Sequence, residues 1–347
     1  MGYFRENIEK LAGYVPGFQP SGTDVVKLNT NENPYPPSPM VAEVIKNFDP
    51  ASLRRYPSPT GAKFQKAAAE LNNVEPGNII CSNGGDDLLT IAFRSFCDTD
   101  RAVAYPVPTY TLYDELAELQ NCPIIKVPFE SNNLFEKLAD TNASLIIFCN
   151  PNAPTGSYVE PQQIASLARK LEGKAVLLVD EAYADFAPDN CAQLIKEHDN
   201  LIILRSLSKG YSLAGLRFGY GIASSSLIEG MMKLKDSYNV DALAIEIATA
   251  AITDRSYFNK NVELVISERA RVTEELRKLG FAVNDSNTNF VFAQISTPTA
   301  AEVFEKLKAK NIFVRYFPVE GIDDKLRITI GTSAENTKLL TTLREII

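Results

Sequence analysis

The 347-residue chain has one histidine, no tryptophan and five cysteines. With His198 alone, no multi-histidine metal site and no HExxH helix can be built, and no metal is called for. A Ser-His-Asp triad would have to use that residue, which sits in the polar stretch Lys196-Glu197-His198-Asp199-Asn200 and reads as surface. Proton transfer therefore falls to Lys, Tyr, Asp, Glu or Cys. The cysteines (Cys81, Cys97, Cys122, Cys149, Cys191) are odd in number, widely spaced and never CxxC, which predicts free thiols in a reducing, cytoplasmic setting. Positive charge is in deficit: 35 Lys and Arg against 43 Asp and Glu leave a formal charge of −8. That balance argues against a nucleic-acid binder or a polybasic membrane-surface protein, but not against local arginine sites for small anions. Apolar runs such as Leu145–Cys149 are too short to span a bilayer, and Met1-Gly2-Tyr3-Phe4-Arg5-Glu6 lacks a signal-peptide pattern.

What is present is an alternation. After an irregular, Pro-, Gly- and Asn-rich start to about residue 40, short apolar runs predict strands at 78–81, 102–104, 123–127, 145–149, 175–179, 201–204 and 217–222. Helical patterns fall between most of them, at 86–96, 110–119 and 161–171 among others. Strands alternating with helices, and apolar throughout, predict an α/β fold with a mostly parallel sheet covered on both faces. Beyond about residue 225 a long helical region, broken near Tyr238-Asn239, runs to Leu279 and a Gly280 stop. Strand patterns at 289–294, 312–316 and 326–330, around a helix at 300–308, predict a small α+β domain.

The chemistry gathers at strand ends, where open α/β sheets place their sites. Ile203-Leu204-Arg205-Ser206-Leu207-Ser208-Lys209-Gly210 hands a buried strand over to hydroxyls and a lysine, with Arg217 eight residues on. A lysine in a partly apolar setting can form Schiff bases, and the two serines with Arg217 suit a phosphate; ordinary loop residues would read the same way. Val176-Leu177-Leu178-Val179-Asp180 ends in a carboxylate that is costly to bury without a cationic partner, such as a protonated pyridine nitrogen, although a helix cap is the bland alternative. Cys81-Ser82-Asn83-Gly84-Gly85-Asp86-Asp87 is a strand, glycine turn and helix start, an anion site made of backbone N–H groups or simple helix initiation. Asn150-Pro151-Asn152-Ala153-Pro154-Thr155-Gly156 is turn chemistry, and Pro106-Val107-Pro108-Thr109-Tyr110 places an aromatic beyond another strand. A nucleotide-binding reading, with Ser206–Gly210 as a phosphate loop, lacks both GxxxxGK[ST] and GxGxxG.

Taken in order, NENP, RYP, NGGD, PTY, NPNAPTG, DEAY, SLSKG, LAGLRFG and RITIG closely resemble the fold-type-I aminotransferases that use pyridoxal 5'-phosphate. Within them the chain looks most like the histidinol-phosphate aminotransferase family, through Tyr14-Val15-Pro16-Gly17, Asn31-Glu32-Asn33-Pro34, Ser237-Tyr238-Asn239-Val240 and Val314-Arg315-Tyr316-Phe317-Pro318. The resemblance implies a seven-stranded, aspartate-aminotransferase-like large domain at 41–250, a small domain at 251–347, and an N-terminal arm at 1–40 joining the latter. It implies that Lys209 bonds the cofactor and moves the proton, and that Asp180 pairs with the ring nitrogen. Asn152 and Tyr183 would hold the ring's phenolic oxygen, with Tyr110 stacked on its face. Gly85, Asp86, Ser206, Ser208 and Arg217 would take the phosphate, joined by Tyr56 from the partner of a homodimer, with the side chain of Asp86 pointing away. Arg327 is expected as the main substrate anion clamp, with Arg315 beside it and Tyr14 and Asn33 lining the pocket.

The reaction implied is transamination between histidinol phosphate and 2-oxoglutarate in histidine biosynthesis. A threonine-phosphate decarboxylase and an aromatic aminotransferase of the same fold are the alternatives. Asp241 departs from the family pattern, which more usually has a small or amide residue there.

Overall fold

A computed structural model describes residues 3–11, 13, 17–20, 22 and 24–347. The buried apolar runs form one seven-stranded sheet. Its order is Ile79–Ser82, Gly219–Ala223, Leu201–Ser206, Val176–Asp180, Leu145–Cys149, Val103–Val107, Ile124–Pro128. Gly219–Ala223 is antiparallel to both of its neighbours and the remaining pairings are parallel. Six strands therefore deliver their carboxyl ends to one edge.

Side chains alternate between two cores, as the period of two requires. Ile146, Phe148, Leu177, Val179 and Ile203 enter one, together with Ile164, Leu167 and Leu171 of the helix Pro161–Leu171. Ile147, Leu178, Ile202 and Leu204 enter the other, against Leu88, Leu89 and Phe93 of Gly85–Phe96 and Tyr113 of Leu112–Gln120. With both faces covered, the central strands have no polar alternation, which is why their sequence is continuously apolar.

A second, four-stranded antiparallel sheet has the order Arg315–Tyr316, Lys325–Thr329, Phe290–Gln294, Ala282–Val283. The single strand expected at 312–316 is divided. Ile312–Phe313 pairs in parallel with Val26–Lys27, whereas Arg315–Tyr316 pairs with Lys325–Thr329, and buried Val314 carries the chain across. The N-terminal segment is stitched on further, by Thr329 N–H to Leu28 O at 3.0 Å and Asn289 Nδ2 to Asn31 O at 2.9 Å.

The long helical region breaks twice, not once, into Ser225–Met232, Ala242–Thr253 and Arg255–Lys278. Aspartates mark both later starts: Asp241 Oδ1 accepts the Ala244 N–H at 2.8 Å and Asp254 Oδ1 that of Tyr257 at 3.3 Å. Asp241 is thus a helix cap. His198, expected at the surface, is 6 % exposed, because the turn before Leu201–Ser206 folds its backbone N–H onto Leu194 O.

Where the strands Val176–Asp180 and Leu201–Ser206 end, Arg205 bridges two buried carboxylates. Its guanidinium lies 3.1 Å from Glu181 Oε2 and 2.6 Å from Asp185 Oδ1. Glu181 also accepts the Cys191 N–H at 2.6 Å. Burial raises the pKa of both acids and Arg205 opposes the rise. Arg205→Ala should cost about 3–5 kcal/mol in urea denaturation, because two buried acids lose their cation. Their folded-state pKa values would then lie further above the unfolded values. The deficit should therefore be smaller at pH 5 than at pH 8, and a deficit independent of pH would contradict this.

Candidate active site

At the carboxyl edge the two sheets enclose a cavity of about 570 Å³. Asp180, Lys209, Tyr110 and Tyr183 line it from the large sheet, Arg315, Phe317 and Arg327 from the small one, and Thr30, Asn31 and Glu32 from the N-terminal segment. Among the described residues there is no His, Cys, Asp and Glu cluster able to hold a metal.

Asp180 ends its strand fully buried. Its Oδ2 accepts the Tyr113 hydroxyl at 2.6 Å and its Oδ1 the Ala182 N–H at 3.1 Å. Burial raises its pKa, while these two hydrogen bonds and, more weakly, the Lys209 charge pull the other way. Lys209 stands in the loop after Leu201–Ser206, with Nζ 3.5 Å from Thr30 O and 5.6 Å from the Tyr183 ring centre. Burial first, then the charge of Arg327, lowers its pKa to about 8. A lysine so placed supplies a neutral, nucleophilic amine near physiological pH.

The opposite end is cut for an anion. Gly84 has φ +87°, and a Cβ on it would lie 2.6 Å from the Arg217 guanidinium. A Cβ on Gly219 would lie 2.7 Å from the Gly84 carbonyl carbon, so two backbones meet where only glycine fits. Gly85 opens the helix Gly85–Phe96, whose first N–H groups face the cavity end. Ser206 Oγ accepts the Ser208 N–H at 3.2 Å, and Arg217 donates to Ser208 Oγ at 3.4 Å. The Asp86 side chain was expected to turn away from this end. Instead its Oδ2 lies 3.3 Å from the Arg217 guanidinium and its Oδ1 accepts the Tyr110 hydroxyl at 3.4 Å, since a carboxylate beside a cation and a helix N-terminus is favoured.

Two further expected residues, Asn33 and Asn152, do not line the cavity. The Asn33 amide donates to the carbonyls of Lys209 at 3.1 Å and Gly210 at 3.3 Å and so fixes the lysine loop. Asn152 is buried beside the cavity, donating to Pro108 O at 3.0 Å and accepting from Thr109 Oγ1 at 2.8 Å, so it ties two cavity loops together. Tyr56 is 81 % exposed and stacks on Tyr238 with ring centres 4.5 Å apart. Tyr14 lies outside the described residues.

Sequence reasoning passed over Asn31, Glu32 and Tyr113. Asn31 Nδ2 donates to the Tyr183 hydroxyl at 2.9 Å, and Glu32 pairs with Lys27. The Asn-Glu-Asn signal was visible, but not which of its members would face inward.

Residues 23–343 match the model for aminotransferase class I and II. The chain belongs to this aminotransferase family. The histidinol-phosphate aminotransferase 1 of Nostoc sp. is 46 % identical over 348 residues, covering 99 % of this chain and 98 % of that protein. The crystal structure of histidinol-phosphate aminotransferase from Sinorhizobium meliloti in complex with pyridoxal 5'-phosphate superposes with a TM-score of 0.91 at 24 % identity, covering 100 % of this chain and 98 % of the other. L-threonine-O-3-phosphate decarboxylase from Porphyromonas gingivalis follows the same fold, with a TM-score of 0.81 at 22 % identity over 92 % of this chain and 98 % of that one.

For this aminotransferase the lowered lysine pKa sets a pH dependence. The amine is unprotonated above its folded-state value, so the rate at which the protein captures an aromatic aldehyde at Lys209 should rise with pH through a midpoint of about 8. Stopped-flow absorbance measures it. Arg327→Ala removes a cation that lowers this pKa and should move the midpoint upward; a midpoint left in place would contradict the assignment.

Proposed function

We propose that this aminotransferase binds pyridoxal 5'-phosphate and transfers the amino group of histidinol phosphate to 2-oxoglutarate, a step of histidine biosynthesis. The observation that carries the reading is 46 % identity along the whole chain to a relative of that name. The cavity supports it.

The residues fit the cofactor. The Gly84–Gly85 turn, the Gly85–Phe96 N-terminus, Ser206, Ser208 and Arg217 make a cradle for a phosphate dianion, closed on the far side by the Gly84–Gly219 contact. Asp180 would hold a protonated ring nitrogen, and its hydrogen bonds to Tyr113 and Ala182 favour the carboxylate that this requires. Tyr110 would cover one ring face. Tyr183 would donate its hydroxyl to the phenolic oxygen, with Asn31 donating to it and Asn152 fixing the loop opposite; burial first pushes the Tyr183 pKa up to about 12, so it keeps its proton. When bound, the ring takes up the electron pair released as the substrate Cα loses its proton. Lys209 would hold the cofactor through its amine, and that amine, when free and neutral, would take the substrate Cα proton and return it, a general base in a site without histidine.

Arg327 and Arg315 are direct cross-strand partners, so their guanidinium groups project side by side into the cavity. Arg327 donates to Asn29 O at 3.0 Å and stands 5.4 Å from the Phe290 ring, which orients its fork; Arg315 lies 5.3 Å from the Phe317 ring. Two forks can serve the carboxylates of glutamate and the phosphate monoester of the other substrate.

Tyr56 points out of its own subunit, and exposed Met40, Ile45 and Leu53 precede it. This surface suits a homodimer in which Tyr56 reaches the partner's phosphate cradle. The five buried free cysteines suit a cytoplasmic setting, and no helix among the described residues could cross a membrane.

Glutamate formation from histidinol phosphate and 2-oxoglutarate tests the proposal. Carbon dioxide release from threonine phosphate without glutamate would establish the decarboxylase instead, and a preference for phenylalanine or tyrosine an aromatic aminotransferase. Arg327→Lys keeps the charge but loses the planar fork, and should raise KM for both substrates about tenfold or more. An unchanged KM for both would remove Arg327 as the clamp. Tyr56→Phe should weaken cofactor retention about tenfold while sedimentation still reports a dimer. Unchanged retention would assign the cradle to one subunit alone.

A further inference from the structure

Beneath the cavity floor, on the helix Leu112–Gln120, lies a phenol whose own part in the reaction is unassigned. Tyr113 is 0 % exposed. Its hydroxyl donates to Asp180 Oδ2 at 2.6 Å, while the Ala182 N–H reaches Asp180 Oδ1 at 3.1 Å. Each carboxylate oxygen thus has one protein donor, and two donors on different oxygens fix the plane of the group. The Tyr113 ring also meets Tyr110 edge-on, with centres 5.7 Å apart and planes at 83°. One side chain therefore touches both the cavity's buried carboxylate and its aromatic wall.

The chemistry gives this contact a direction. Burial drives Asp180 toward its neutral acid, and the charge of Asp86 pushes the same way. The Tyr113 hydroxyl is the strongest influence opposing them. The phenol does not compete for ionisation, since burial and the neighbouring Asp180 raise its own pKa well above the usual value. The proton stays on Tyr113 and the charge on Asp180. A neutral carboxylic acid in that place could not serve as the counter-ion of a protonated ring nitrogen.

We propose that Tyr113 is a positioning residue for the transamination, holding Asp180 as an oriented carboxylate against the cofactor's ring nitrogen and setting the tilt of Tyr110 above the ring. The proposal rests on the reading of the cavity as a pyridoxal phosphate site.

The test separates the ring nitrogen from the rest of the cofactor. Dissociation constants of the cofactor-free protein are measured for pyridoxal 5'-phosphate and for its 1-deaza analogue, which keeps the aldehyde, hydroxyl and phosphate but has carbon in place of the nitrogen. The wild-type protein should prefer the natural ligand. Tyr113→Phe should narrow that preference about tenfold, the worth of one buried hydrogen bond to a charged group, while leaving the analogue's affinity unchanged. Tyr105→Phe is the control. It removes a buried hydroxyl from the adjacent ring, 5.5 Å away, that donates to Asp114 at 2.6 Å and not to Asp180, and it should leave the preference intact. If Tyr113→Phe weakens both ligands equally, or leaves the preference as it was, Tyr113 is core filling and the proposal falls. Should that variant fail to fold, 3-fluorotyrosine at position 113 keeps the packing and acidifies the donor. A preference that does not move then overturns the proposal, and one that moves supports it. A wild-type protein that binds neither ligand, or both alike, overturns the cofactor reading and the proposal with it; a wild-type preference that survives in the variant overturns the proposal alone.

Discussion

The bridge from Arg205 to Glu181 and Asp185 is the contact on which the geometry of the cavity depends. Glu181 follows Asp180 directly, and Arg205 precedes Ser206, so the bridge fastens the ends of two neighbouring strands in register. Asp185 accepts the Gly210 N–H, and its carboxylate packs so closely on Gly210 that no side chain fits there. Asn33 donates to the carbonyls of Lys209 and Gly210. The main chain at Lys209 and Gly210 is therefore held by both Asn33 and Asp185, groups that line none of the cavity. A buried ion pair of this kind is weak evidence for stability, because desolvation consumes most of the Coulombic gain. Its value here is positional.

The charge of the cavity runs against that of the chain. The protein carries a net −8, yet Lys209, Arg217, Arg315 and Arg327 converge on one space with Asp180, Glu32 and Asp86. The acids are not spread evenly. Glu32 is paired with Lys27 and Asp86 with Arg217, while Asp180 is committed to neutral donors. A positive field is left on the small-sheet side, where anionic groups would sit, and a lone carboxylate lies under the centre, where a ring cation would sit. The field that attracts anions also lowers the Lys209 pKa through Arg327. On the proposed reading, substrate attraction and the readiness of the amine would share one cause.

Much of this was legible because the large sheet is buried on both faces. Continuous apolar runs leave little doubt where strands end, and chemistry at a strand end must lie at the shared edge. That logic located Asp180, Lys209, Gly85, Ser206 and Tyr110 without contact information. It could not select among residues whose direction depends on tertiary partners. Asn31 and Asn33 are chemically identical and two apart, but Asn31 has φ +56° and faces Tyr183, while Asn33 faces the lysine loop. Tyr113 lies three residues after Tyr110 and looks like any core aromatic until its hydroxyl is seen on Asp180. The run at 312–316 has one pattern and two sheets, because periodicity reports burial and not the partner strand.

The segment from Asn29 to Asn33 explains why a site built from strand ends also needs the far end of the chain. Arg327 donates to Asn29 O, Thr30 O faces the Lys209 amine, Asn31 joins Thr329 and Asn289 to Tyr183, and Asn33 holds the lysine loop. Four of these five residues thus contact the small sheet, the large one or both. Without them the two arginines would be referenced only to the small sheet and the amine only to the large one, and a modest rotation between the sheets would change the arginine-to-amine distance freely. With them, Arg327 and the Lys209 amine are both referenced to the same short stretch of backbone. A substrate held by those arginines, as proposed, would then be presented to Lys209 at a set distance, and a substrate of different length would meet the amine at the wrong carbon.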